Sequence, residues 1–132
     1  MNIGIIGGTF DPIHIGHLLA AEIVLEDAKL DEIWFMPTSI PPHKDHIPHA
    51  NDRQRWEMLF LAIRANPRFV PFDFELKQGG KSYTYNTMQQ LRTLYPDHHF
   101  HFIIGGDMVQ TLMEWHRIHE LVRIVRFFGF KR

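Results

Sequence analysis

The sequence predicts an α/β fold, an open parallel sheet with helices on both faces, and three observations carry that expectation. Short apolar runs at residues 3–6, 32–37, 69–74, 99–104 and 125–130 alternate with stretches of helical periodicity. The strand–helix–strand order of the first of these implies a parallel pair joined by a right-handed crossover. A glycine pair, Gly7-Gly8, sits between the first strand and the first helix, the place where open parallel sheets bind ligands, because loop amides and a helix N-terminus both point there.

The elements follow in order. Ile3, Ile5 and Ile6 form the first strand. A helix starts near Ile15 and ends near Lys29, with Leu18, Ala21, Leu25 and Ala28 as its apolar stripe and Glu22 and Glu26 elsewhere. Residues 32–37 form the second strand, closed by Pro37. Residues 38–51 hold three prolines and three histidines in fourteen positions, an irregular loop of a length that tends to be functional or mobile, such as a lid. Asn51 and Gln54 read as a capping pair for a helix to Ala65 that carries Trp56, Leu59, Phe60 and Ile63. Residues 69–74 read as a strand with Pro71 inside it, which argues for an edge position or an early break. After the turn at 78–81, Ser82 or Thr84 caps a helix carrying Tyr85, Met88, Leu91 and Leu94, with Pro96 just beyond. Residues 99–104 lead as a strand into Gly105-Gly106-Asp107. A short helix at 108–113, a turn at 114–116, a helical segment at 118–122 and an apolar strand at 125–130 complete the chain.

A length of 132 residues suits one domain, 1–132, and such a chain buries roughly two-thirds of its unfolded surface. Fourteen basic and fifteen acidic side chains leave a formal charge of −1, so there is no broad footprint for nucleic acid or an anionic membrane. Zero cysteines exclude disulfides and thiolate metal sites and fit a reducing cytoplasm. No basic stretch followed by a long apolar one opens the chain, and no run approaches the ~18 apolar residues of a membrane span. A cytoplasmic location is expected.

His14 and His17 lie three apart across Gly16, so at a helix start they project from one side of the first turn and both could face one anion. A turn with satisfied histidines is the bland alternative. Zinc is compatible with the spacing, but no cysteine or H-E-x-x-H accompanies the pair, so no metal ligand is named. Neither G-x-x-x-x-G-K-[ST] nor G-x-G-x-x-G is present, which disfavours a P-loop ATPase and a hydride-transfer dehydrogenase. A carboxylate at Asp107 could accept ribose hydroxyls or cap a helix. Pro41-Pro42-His43-Lys44 alone reads as a surface turn, His46 and His49 as solvated, and Trp115 as a core residue.

The run Gly7-Gly8-Thr9-Phe10-Asp11-Pro12-Ile13-His14-Ile15-Gly16-His17 resembles the G-G-T-F-D-P-x-H-x-G-H signature of the nucleotidylyltransferase superfamily. That resemblance implies a Rossmann-like fold and an ATP site formed by Gly7, Gly8, Thr9, Phe10, His14, Gly16, His17, Gly105 and Asp107, with alanine commoner where Gly106 stands. His14 and His17 would meet the triphosphate, with Gly16 leaving room for close phosphate approach. Attack of a phosphate on the α-phosphorus of ATP needs no protein nucleophile, so catalysis is positioning plus stabilisation of charge. The P-P-H-K segment resembles one whose basic residues reach phosphates, which implicates Lys44 as a catalytic group and His43 beside it.

Residues 81–87, K-S-Y-T-Y-N-T, and Glu114-Trp115-His116 resemble segments of the bacterial nicotinate-nucleotide adenylyltransferases. They imply that Tyr83, Thr84, Trp115 and His116 hold the nicotinate, its carboxylate on Thr84 and backbone amides and its ring on Trp115. Thr38 stands where relatives often carry asparagine near the substrate. The implied reaction is adenylyl transfer from Mg-ATP to nicotinate mononucleotide, giving deamido-NAD and pyrophosphate. Its implied partners are those small molecules and, in solution, a second copy in a homodimer; Mg2+ would be held mainly by the phosphates. The resemblance covers the front two-thirds of the family pattern, so the C-terminal I-S-S-T-x-x-R phosphate segment is expected to be missing. Rivals are a phosphopantetheine or cytidylyl transferase, a non-catalytic nucleotide-binding module, and a histidine-rich metal protein.

Overall fold

The computed structural model describes residues 1–10, 12–39, 50–79, 83–105, 109 and 111–130. Asp11, the loop at 40–49 with His43 and Lys44, Ser82, Gly106 and Asp107 lie outside these, and so do the expectations placed on them.

Among the described residues, five parallel strands form one sheet: β1 (Asn2–Gly8), β2 (Glu32–Pro37), β3 (Phe69–Pro71), β4 (His99–Gly105) and β5 (Arg126–Phe130), in the order β3-β2-β1-β4-β5. The chain winds outward from β1 in one direction and then returns to wind outward in the other. The switch falls between β1 and β4, where the crossovers leave a crevice at the carboxyl ends of the strands. Helices α1 (Ile15–Asp27) and α2 (Asp52–Ile63) cover one face. Helices α4 (Thr84–Leu94) and α5 (Ile118–Ile124) cover the other, after a short α3 (Phe74–Gln78). Alternation along β1 sends Ile3 and Ile5 toward α4 and α5, and Ile6 toward α1. Gly4 faces the α1 side, where a Cβ would come within 2.7 Å of Leu30 and 2.8 Å of Ile33.

Helix boundaries follow their local chemistry. Asn51 and Gln54 form the expected capping box, Asn51 Oδ1 accepting from the Gln54 N–H at 2.8 Å and Gln54 Oε1 from the Asn51 N–H at 3.0 Å. Helix α1 stops at Asp27 because Lys29 takes a left-handed φ of 53°, with Leu30 N–H donating to Leu25 O and Lys29 N–H to Glu26 O. That is a Schellman turn without its usual glycine, held by burial of Leu30.

Several expectations are corrected. The buried stripe of α1 is Ala20, Ala21, Val24 and Leu25, so its apolar face is turned from the expected line and Leu18 and Ala28 lie at its margin. Phe60 on α2 is 50% exposed, and the side buried in its place carries Arg55 at 0%. The strand read over 69–74 ends at Pro71, and Phe74 opens α3. Phe72 N–H points inward to Phe35 O at 2.9 Å, so the adjacent Pro71 occupies a position whose N–H would point away from the sheet, which suits the expected edge. The position before α4 is Tyr83, with no side-chain cap bond, rather than a capping Ser82 or Thr84. In the region read as a helix over 108–113, Val109 is helical as expected, and a 3-10 turn, Leu112–Glu114, follows.

Glu75 on α3 is 3% exposed and accepts the Thr87 hydroxyl at 2.6 Å. Burial pushes its carboxyl above the ordinary range, a rise that the Thr87 bond only partly offsets. The folded protein therefore holds this proton more tightly than the unfolded chain does. The resulting destabilisation is absent below the unfolded pKa and complete above the folded one. Glu75→Gln should melt at a higher temperature than the parent at pH 8, with the difference closing as pH falls toward 4. Thermal melts across that range check it, and a gap independent of pH would assign the effect to packing.

Candidate active site

β1 runs on through Gly7 and Gly8, which the sequence pattern places in the loop after it and which pair with Met36 and Pro37; the chain then passes Thr9 and Phe10 and re-enters regular structure at α1. Phe10 has a left-handed φ of 49°, a conformation that costs a bulky residue about 1–3 kcal/mol. Its ring is buried, packing on Phe35 at 6.2 Å and edge-on to His17 at 5.1 Å, and burial of such a ring returns about 1.5–3 kcal/mol. The two nearly cancel, so the ring anchors the loop in a conformation that the backbone alone would not hold.

His14 and His17 cap α1 reciprocally. His14 Nδ1 accepts the Gly16 N–H at 3.1 Å, and His17 Nδ1 accepts the His14 N–H at 3.1 Å. The two rings lie 3.8 Å apart, tilted by 32°. An Nδ1 that accepts carries no proton, so the N–H of each neutral ring is on Nε2. The pair thus offers N–H donors at a helix N-terminus, which fit phosphate oxygens and not a metal ion. Among the described residues, no group of three or more His, Cys, Asp or Glu could hold a metal. At Gly16 a Cβ would lie 2.9 Å from His14 Cε1, so the His14 ring fills the space that a larger residue would need.

Thr38 follows β2 directly and its N–H donates to Gly8 O at 2.8 Å, tying the second loop to the first. Gly105 ends β4 beside β5. Tyr83 and Thr84 sit at the start of α4, and Trp115 and His116 just before α5; both segments lie at the carboxyl end of the sheet because both helices run back toward strand starts. The Tyr83 and His116 rings are 4.4 Å apart, so the two segments meet. Trp115 is half-buried, set against Phe102 at 6.0 Å and Phe127 at 6.1 Å, which leaves part of the indole toward solvent. Its amide already donates to Leu112 O at 3.1 Å and is not available to a ligand. Arg117, unremarkable in the sequence, takes a left-handed φ of 54° and lays its guanidinium 4.5 Å from the Tyr85 ring centre while bonding Glu120. This bond holds the Glu120 carboxyl below the ordinary range.

The residue that sequence reasoning passed over is Arg55. It is fully buried beneath the site, and one nitrogen, Nη1, donates both to Thr9 O at 2.7 Å and to Thr38 O at 2.8 Å. Nη2 pairs with Asp52, whose other oxygen accepts the Ser39 hydroxyl at 3.2 Å. Nε has no hydrogen-bond partner among the described residues. A signal existed: in the apolar stripe of α2, an arginine falls four residues before Leu59 and eight before Ile63.

Residues 5–132 match the cytidylyltransferase-like family model. The chain is 56% identical to a probable nicotinate-nucleotide adenylyltransferase of Oceanobacillus iheyensis over 98% of its own length and 68% of that protein's. It is 49% identical to the nicotinate-nucleotide adenylyltransferase of Bacillus subtilis, covering 98% of this chain and 69% of that one. In fold it is similar to Plasmodium falciparum nicotinic acid mononucleotide adenylyltransferase complexed with NaAD, with a TM-score of 0.79 at 20% identity, over 99% of this chain and 75% of that one. The chain spans 60 to 69% of the length of the curated relatives it matches. A glycine loop closed by a two-histidine helix cap, on a Rossmann-like sheet and with half of all positions shared, places this chain in the nicotinate-nucleotide adenylyltransferase family of cytidylyltransferase-like proteins.

Proposed function

We propose that the protein transfers the adenylyl group of ATP to nicotinate mononucleotide. A phosphate oxygen of the mononucleotide attacks the α-phosphorus, the bond to the bridging oxygen of the β-phosphate breaks, and pyrophosphate leaves with that oxygen and its charge. The observation that carries this reading is the reciprocal His14–His17 cap, which occupies both Nδ1 atoms and leaves two imidazole Nε2–H donors at a helix N-terminus, groups of the kind that stabilise such a charge. Family membership and the NaAD bound by the Plasmodium falciparum protein support it.

In this reading Gly7, Gly8, Thr9, Phe10, Gly16 and Gly105 shape the ATP site, with Asp107 toward the ribose. Tyr83, Thr84, Trp115 and His116 enclose the nicotinate ring, and Thr38, His43 and Lys44 approach the mononucleotide phosphate. Magnesium belongs to the substrate as its counter-ion, since the histidine pair offers donors and no lone pair, and no step is assigned to it. A cytoplasmic location and a homodimer are part of the same reading. No described helix is long and apolar enough to cross a membrane.

The test is product formation followed by mass spectrometry with ATP or CTP against nicotinate mononucleotide or phosphopantetheine. Only ATP with nicotinate mononucleotide should give a dinucleotide and pyrophosphate. Product from another pair would reassign the enzyme, and ATP binding without any product would make the chain a nucleotide-binding module. Gly16→Ala should lower the rate by about tenfold, because the new methyl pushes the His14 ring from its cap. A rate within twofold of the parent would show that the ring's position is immaterial.

A further inference from the structure

Two loops must hold two different substrates at bonding distance if the proposed transfer is correct: the glycine loop after β1 carries ATP, and the segment after β2 faces the mononucleotide. We infer that Arg55 sets the spacing between these two loops and is a positioning residue for the reaction, acting from beneath the site. This inference rests on the proposed function.

The geometry is specific. A single Nη1 donates to the carbonyl of Thr9 on one loop and to the carbonyl of Thr38 on the other, at 2.7 and 2.8 Å. The two carbonyls are therefore fixed relative to each other by one nitrogen and not by two independent side chains. The guanidinium is itself fixed, because Nη2 pairs with Asp52 in the same turn of α2. Asp52 in turn holds Ser39, the residue after Thr38. Asn51 caps that turn through the Gln54 box, so the base of the clamp is rigid. Both carbonyls lie one residue beyond Gly8 and Pro37, the last pair of the β1–β2 register, and the Thr38 N–H donates to Gly8 O, so Arg55 extends the link between the two segments past the end of the paired strands.

Packing alone does not account for the choice of residue. Burying the Arg55 guanidinium costs desolvation that its partly exposed partner Asp52 does not fully return, so an apolar group of the same volume would serve stability as well or better, and Nε is left unsatisfied as well. What an arginine supplies and an apolar side chain cannot is a planar fork of donors with set directions. Misplacing bound reactants by about 1 Å costs on the order of a hundredfold in rate, even when the displaced residue does not touch them.

The experiment compares the parent with Arg55→Lys, Arg55→Met and, as a control, Leu59→Ala, a buried residue one turn further along α2. Arg55→Lys keeps the charge and one or two donors but loses the fork. It should lower kcat by about 10- to 100-fold while each KM stays within about threefold. Arg55→Met should fall further. Leu59→Ala should lose thermal stability comparably and keep kcat. Amide exchange in the ligand-free protein reads the clamp directly: Thr38 should exchange at least about tenfold faster in Arg55→Lys, with β1 and β4 unchanged. A parent-like kcat in Arg55→Lys, or an equal loss of kcat in Leu59→Ala, overturns the inference. A parent that transfers no adenylyl group sinks the proposed function instead. Exchange at Thr38 then still decides whether Arg55 joins the loops, and unchanged exchange refutes the clamp under either result.

Discussion

Replacing His17 with alanine is expected to slow adenylyl transfer by roughly 10²–10³-fold, the range found when one donor to a developing oxyanion is removed. His14→Ala should cost less. The cap adds a complication, because His17 Nδ1 also accepts the His14 N–H and its ring stacks on that of His14. Alanine at 17 therefore removes one of the two proposed phosphate donors and loosens the other one. His17→Asn separates the two effects: its side-chain oxygen can stand in for Nδ1 and keep the cap, while nothing replaces the Nε2 proton. Its melting temperature should stay near that of the parent while kcat falls nearly as far as in the alanine variant. The two single changes should also be strongly non-additive in the double variant. A parent-like kcat in His17→Asn would make the histidine pair a structural cap and remove it from the chemistry.

The second large effect is a preference for nicotinate over nicotinamide mononucleotide of at least roughly a hundredfold in kcat/KM. Tyr83 makes no side-chain cap bond to α4, and the first N–H groups of a helix have no intrahelical acceptor. A carboxylate beside Thr84 would satisfy them and meet the positive end of the helix. The amide of nicotinamide would set its NH₂ against donors, an unpaired contact costing about 1–3 kcal/mol, besides losing a charge-assisted bond. Because the Trp115 amide is engaged with Leu112, the discrimination falls on Thr84 and the start of α4. Thr84→Val should erode the preference. Trp115→Ala should weaken both substrates alike, and it should also lower stability through lost packing on Phe102 and Phe127. Steady-state rates for both mononucleotides in the three proteins decide the matter; equal use of the two by the parent would show that this site is placed wrongly.

The fold was legible wherever periodicity and punctuation coincided. The pairing of Asn51 with Gln54 and the break at Pro71 each named a boundary by its chemistry, and the structure has both, whereas the glycine pair expected after β1 forms its last two residues. What escaped depends on the third dimension. The burial of Arg55 is invisible to a hydropathy pattern that sorts arginine with the surface, and Phe60 was assigned to the core by the same rule. The turn of the α1 stripe toward Val24 reflects its packing in one cluster with Ile6 and Ile33, which no local window contains. Spacing put His14 and His17 on one side of a helix start and the resemblance assigned them to phosphate, but their mutual cap, and hence the nitrogen that carries the proton, needed coordinates. Sequence also could not tell that the Trp115 amide is engaged.

The two margins of the sheet differ in a way that bears on how the protein behaves at high concentration. At β3 the edge is three residues long, and Pro71 removes an outward N–H, so another chain finds little there to pair with. At β5 the outer backbone runs for five residues through Phe127, Phe128 and Phe130, with Arg126 as its sole charge, and no described strand lies beyond it. Of the two margins, β5 is the one open to strand addition among the described residues, and a charge meant to oppose it belongs at the exposed Gly129 and not at Phe128 or Phe130, which pack against the core.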